Sequence, residues 1–282
     1  MADNDRRRLA AELRRLRVQA GTSGRRLADE IGGLSQSAVS RIETGAALPT
    51  VPQVERWADV AGASPAEKET LVSLAQRAFT EIESWRTSLR DRPHLQQEIA
   101  EREARARVTR VFQPSAVPGL LQTAEYARQV FSLSPVPSVK GAVAAAVSGR
   151  MNRQPALYEP GCRFEFLITE AALRWCPGPD SRRLLPAQLD RITSLGTLEN
   201  VSIGIIPDGE QALTYASHGF VIYEGHGADD TLVTIEAIHA ALTIHDSEAI
   251  DVYRETWSAL ARMAASEGDA REIFAGLWVS PG

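Results

Sequence analysis

Near the start of the chain, the ten residues Ser35-Gln36-Ser37-Ala38-Val39-Ser40-Arg41-Ile42-Glu43-Thr44 hold a dense set of short hydrogen-bonding groups. If they form a helix, Val39 and Ile42 lie three apart and fall with Ala38 on one packing face. Gln36, Ser37, Ser40 and Arg41 are then left pointing away from it. Amides, hydroxyls and a guanidinium suit the donors and acceptors of base edges and phosphate oxygens, and a guanidinium matches the two acceptors of guanine. Large apolar side chains would be wasted on the outer face of a helix that enters a groove about 12 Å wide. The hydrophilic face is therefore a candidate reading surface for double-stranded DNA.

Such a surface needs rigid neighbours, and the flanking sequence supplies them. Leu9, Leu13 and Leu16 recur at helical spacing on an Arg-rich helix from about residue 6 to 20 that ends near Gly21. Ser23 is positioned to cap a second short helix whose inward face is Leu27, Ala28 and Ile31, and Gly32-Gly33 breaks it. Ser35 caps the third helix and Gly45 closes it. Two short helices joined by a Gly turn, the second exposing small polar side chains at its start, match a helix-turn-helix. Charge is distributed accordingly: residues 1–45 carry nine Arg against six acidic residues, a net +3, whereas the whole chain is at −5, so the remainder is at −8. A basic module on an acidic body suits a protein that offers one small face to a polyanion, although a solvated Arg-rich helix has the same charge. Pro49, Pro52, the run Val54, Trp57, Ala58 and the Ser64-Pro65-Ala66-Glu67 cap predict two supporting helices, with the apolar face of the second running on to Ile82.

The strings LRRLRVQAG, RRLADEIG and LSQSAVSRIETG resemble the xenobiotic-response-element type of helix-turn-helix transcriptional regulator, related to the phage repressors. The resemblance implies that Gln36 and Ser37 read bases and that Arg41 reads a base or a phosphate one turn on. It also implies that Ser35 and Thr44 contact the DNA backbone, with Ser40 on the same face, and that Arg17 pairs with Glu43 as a structural link between the first and third helices. Two positions depart from the pattern. Gly24 stands where the family has a Gln that touches phosphate and braces the first reading residue, and the turn from Ile31 to Ser35 is one residue longer than usual. Either affinity is lower than typical, or Arg25 and Arg26 supply the missing phosphate contact.

At 282 residues the chain has room for two domains. The expected division is a helix-turn-helix domain over 1–84, a linker over 85–93 and a second domain over 94–282. In the second, a helix is expected over 94–109, and the string Phe112 to Thr123, with Pro114, Pro118 and Gly119, is an ordered turn ending in Thr123 as the cap of a helix that carries Tyr126, Ala127 and Val130. Further helices are expected over 139–152, 181–196 and 247–266, and strands over 163–168, 201–206, 218–223 and 231–236. The fold class is thus an all-α N-terminal helix-turn-helix domain of about five helices followed by a mixed α/β domain. VPGLLQT followed by YAR at 126–128 resembles the signature of the C-terminal domain of a large set of actinobacterial regulators of this helix-turn-helix type, and Arg150, Arg153, Gln154, FEFLITEAALRW, QLDRITSLGTLENVSIGIIP and Ile235-Glu236 continue the correspondence. That resemblance implies an antitoxin-like protein often encoded beside a short partner protein.

Other chemistries find little support. Glu236 and His239, with His218, His245 and Asp246, offer metal-ligand groups, but the Val-Thr-Ile-Glu pattern favours a strand, on which residues three apart face opposite sides; no metal is expected. No nucleophile elbow accompanies any Ser, and Gly225-His226-Gly227 lacks the strand-to-helix setting of a phosphate loop, so no catalytic residue and no cofactor is expected. Trp175, Tyr215 and Tyr223 either line a ligand pocket or belong to the core. Cys162 and Cys176 lack zinc-ligand spacing and read as reduced thiols. No leader and no bilayer-length apolar run is evident, so the expected location is cytoplasmic, nucleoid-associated when bound to DNA. The sequence points to a DNA-binding transcriptional regulator, a homodimer on paired half-sites, whose C-terminal domain senses a ligand or docks a small partner. The alternative is an antitoxin-like protein-interaction module whose main target is a small cognate protein.

Overall fold

Leu9, Leu13 and Leu16 line the inner side of α1 (Ala2–Gln19), all buried, and around them gather α2 (Gly24–Ile31), α3 (Gln36–Glu43), α4 (Val51–Val60) and α5 (Pro65–Phe79). The computed structural model describes residues 2–84, 95–179, 181–225, 227, 230–238, 240–265 and 267–279. The expected linker at 85–93 lies outside the described residues. Local chemistry sets the ends of these helices. The Ser23 hydroxyl accepts from the Arg26 amide at 3.2 Å and Ser35 from Ala38 at 3.1 Å. Thr50 with Gln53, and Ser64 with Glu67, form reciprocal boxes in which side chain and backbone satisfy each other. Trp57 is fully buried at the centre, and its indole N–H donates to the Leu13 carbonyl at 3.1 Å, so its one polar atom is satisfied without water.

Two compact units emerge: 1–83 together with 242–249, and 84–241 together with 250–282. In the first, α5 ends at Phe79 and Thr80–Ser84 forms strand β1, which neighbours β7 (Ala240–Ile244). The expected helical face to Ile82 is thus cut short, and β7 is a strand that the sequence pattern did not reveal.

The second unit is built on α6 (Leu95–Arg105), β2 (Val108–Gln113), α7 (Ala124–Ser132), α8 (Pro137–Lys140), α9 (Val143–Arg153), β3 (Arg163–Thr169), α10 (Glu170–Arg174), α11 (Ser181–Leu195), β4 (Val201–Ile206), β5 (Phe220–Glu224), β6 (Leu232–Glu236), α12 (Ser247–Arg262) and α13 (Glu267–Val279). Its strand order is β6-β5-β2-β3-β4. β2 runs parallel to β3, and β3 to β4, whereas β2 pairs antiparallel with β5 and β5 with β6. The chain therefore opens with five helices that carry the helix-turn-helix and continues as a mixed α/β domain with parallel and antiparallel strands.

Two expectations for the second unit need correction. The helix expected to reach Thr109 stops at Arg105, and Val108–Gln113 is the central strand, with Val108, Thr109, Val111 and Phe112 buried. β-branched and aromatic residues there fit a pleated surface covered on both sides. The last helix is also broken: α12 ends at Arg262 because the Ala265 amide donates to the Ile205 carbonyl of β4 at 2.8 Å, after which α13 returns to pack Ile273, Phe274 and Leu277 on the core.

Candidate nucleic-acid interface

The chain reaches the outer face of α3 through a sharp turn. Gly32 takes φ 74°, ψ 144° and Gly33 takes φ 73°, conformations that side chains rarely adopt. The end of α2 is held from outside as well: the Arg56 guanidinium donates to the Ile31 carbonyl at 2.8 Å, satisfying a carbonyl that the helix leaves open. Nothing in local spacing announces this role, because the two residues are 25 apart in sequence.

With α2 and the turn fixed, α3 buries Val39 and Ile42 and leaves Ser35, Gln36, Ser37, Ser40, Arg41 and Thr44 exposed. Ser35 and Ser37 share a hydrogen bond of 2.8 Å between their hydroxyls while Ser35 caps the helix. The Thr44 hydroxyl donates to the carbonyls of Ser40 and Arg41 at 3.1 and 3.0 Å. Either serine hydroxyl can donate in that bond, whereas Thr44 has to give up a carbonyl to donate elsewhere. Gln36 stands near Gly24, where an added Cβ would lie 4.0 Å from its Cγ and 3.5 Å from Val39 Cγ1.

Behind this face, Arg17 clamps Glu43. Its Nε donates to one carboxylate oxygen and its Nη2 to the other, the latter at 2.8 Å, while Nη1 donates to the Thr22 carbonyl at 2.9 Å. The fork-to-fork geometry joins α1 to α3 and raises the Arg17 pKa through its hydrogen bonds to Glu43. Arg25 and Arg26 are both exposed on α2, but Arg26 is engaged by Glu30 at 2.7 Å.

The residues singled out in the second unit meet around the segment 117–123. The Gln122 amide donates to the Val117 carbonyl at 2.7 Å and accepts from Arg150 at 2.6 Å. Gln154 donates to the Gln122 carbonyl at 2.6 Å, and Gln188 both donates to the Leu121 carbonyl at 2.7 Å and accepts from the Thr123 amide at 2.8 Å. These side chains satisfy an irregular backbone that is otherwise buried. Arg153 forks onto the buried Glu103, with one bond at 3.1 Å. Tyr223 is buried beside them, and loss of solvent raises its phenol pKa, helped by the Glu103 charge. Of the three aromatics weighed for a pocket, only Tyr223 is core; Trp175 and Tyr215 are exposed. Glu236 ends β6, His239 lies outside the described residues, and no three His, Cys, Asp or Glu among the described residues come together to hold a metal ion. No helix among the described residues is long and apolar enough to cross a membrane.

Comparison with known proteins bears on both units. Residues 96–276 match a family described as a domain of unknown function, DUF5753, and residues 8–71 match a helix-turn-helix domain. No curated protein matches the chain. A solved structure of TrmBL2, an archaeal chromatin protein described as showing a novel mode of DNA binding, is 10% identical, with 71% of this chain and 61% of that one covered at a TM-score of 0.30. The chain thus spans less than two thirds of that structure, and the likeness is too low to bear on fold or function.

Proposed function

Since the chain belongs to the DUF5753 family and joins that domain to a helix-turn-helix, we propose that it is a sequence-specific DNA-binding transcriptional regulator. It reads the major groove with α3 and uses the second unit to sense a ligand. One observation carries the reading: six hydrophilic side chains of 35–44 stand exposed on a helix anchored by buried Val39 and Ile42. In this assignment Gln36, Ser37 and Arg41 face base edges, Ser40 lies beside them, and Ser35, Thr44, Arg25 and Arg26 serve the phosphates. Arg17 and Glu43 hold the scaffold and touch no DNA. The protein acts by binding, without a catalytic step, and as a homodimer, because helix-turn-helix operators are usually paired half-sites. Such a protein works in the cytoplasm and on the nucleoid.

A second reading, the docking of a small cognate protein in the manner of an antitoxin, is supported by Leu213 and Tyr215, which are 51% and 86% exposed on the segment between β4 and β5. The experiment that decides is binding to the DNA upstream of the chain's own gene. Replacing Gln36→Ala together with Arg41→Ala is expected to weaken specific binding by roughly 100-fold, at about 1–3 kcal/mol per lost base contact, with the melting temperature unchanged. Undiminished binding by the folded double variant rules out α3 as the reading helix and leaves the docking function as the primary one.

A further inference from the structure

Arg150, in the last turn of α9, is an unusual place to leave a positive charge. Its Nη1 donates to Gln122 at 2.6 Å and its Cζ stands 4.2 Å from the centroid of the Phe131 ring. Gly119 packs closely against it: a Cβ there would come within 3.2 Å of Nε and 3.3 Å of Cζ, tighter than ordinary contact. Nε is buried and has no hydrogen-bond partner among the described residues. Among the described residues no carboxylate lies within ion-pair distance of this guanidinium; the neighbouring Glu103 is already committed to Arg153. Burial pushes the Arg150 pKa down to about 10, against the more distant pull of Glu236, and Arg153 adds repulsion. Buried charges are ordinarily paired, so an ordered guanidinium with an unmet donor and only a remote counter-charge is suited to take an anion.

We propose that Arg150 receives the oxyanion, carboxylate or phosphate, of the small ligand that the second unit senses. The inference rests on the sensing reading above. A guanidinium is planar and presents forked N–H donors that fit such an oxyanion. The contacts of Gln122, Phe131 and Gly119 hold it in place before the ligand arrives, so little further ordering is needed on binding. Glu236, exposed at the end of β6, opposes an incoming anion and thereby sets its affinity.

The test uses the full chain, inorganic phosphate and acetate as probes, and chloride at matched ionic strength as the reference. The Nε–H resonance of Arg150, identified by its disappearance in Arg150→Lys, is expected to shift saturably with phosphate or acetate and to stay put in chloride. The anion that saturates at the lower concentration tells a phosphate ester from a carboxylate. Because Arg150→Lys risks disturbing the fold, Glu236→Gln provides the independent arm: at an exposed position it removes an opposing charge and is expected to tighten the same anion severalfold. Absence of a saturable shift with either probe, or an unchanged midpoint in Glu236→Gln, overturns the proposal. All of this is read on the free protein, so it stands or falls apart from operator binding; operator affinity with and without the anion tests the sensing reading separately.

Discussion

Gly24 shows how a residue with no side chain bears on the proposed reading helix. It opens α2 with ordinary helical backbone, since it is absent from the glycines with positive φ, and the space beside it accepts a methyl at van der Waals distance from Val39 and Gln36. The glycine therefore costs stability through the freedom of the unfolded chain and leaves Gln36 without a neighbour on that side. Gly24→Ala is expected to stabilise the protein by about 0.5–1 kcal/mol in urea denaturation, at unchanged m-value. A loss of stability instead means that the contact with Val39 is already tight. The paired residues Arg17 and Glu43 were readable from sequence through a family pattern, whereas the clamp of Arg56 on Ile31 was not, because a side chain that caps another helix from 25 residues away leaves no periodic trace.

At the level of elements, the turn between α2 and α3 sets how the candidate interface is presented. The longer spacing from Ile31 to Ser35 is accommodated by two successive left-handed glycines, of which Gly32, at φ 74° and ψ 144°, adopts a conformation all but closed to other residues. Gly32→Ala is expected to cost about 1–3 kcal/mol and to tilt α3, so that thermal melts shift down and operator binding weakens even at temperatures where the variant is folded. Wild-type melting in Gly32→Ala shows that α3 is set by its own packing and not by the turn. The helices of the first unit were readable because caps, breakers and apolar spacing all lie within a few residues of one another. Strands β2 and β7 were not. Val108–Gln113 follows a charged helical stretch directly, and its identity as the central strand comes from pairing with β3 and β5, some 55 and 110 residues on. The break after Arg262 likewise goes with a bond from Ala265 to Ile205 in a distant strand.

For the molecule as a whole, the division of charge shapes how DNA is met. A segment at +3 carried by a remainder at −8 makes nonspecific attraction depend on a few arginines, while the acidic body disfavours wrapping by DNA. The polar centre around Arg150 had only its members in the sequence, not their meeting: Gln122 and Arg150 are 28 residues apart, and Arg153 and Glu103 are 50 apart. The first unit, by contrast, declares its chemistry in one short run, and its electrostatics are open to a quantitative test. Each phosphate neutralised by a cation contributes about one unit to the slope of log affinity against log salt. Arg25 is exposed and Arg26 has to leave Glu30 before it pairs with a phosphate, so Arg25→Ala with Arg26→Ala is expected to flatten the slope by about 1–2. The loss falls equally on operator and random DNA, whereas Gln36→Ala lowers operator affinity alone and leaves the slope intact. Titration over a salt series separates the two, and an unaltered slope in the double arginine variant places the phosphates on another part of the helix-turn-helix surface.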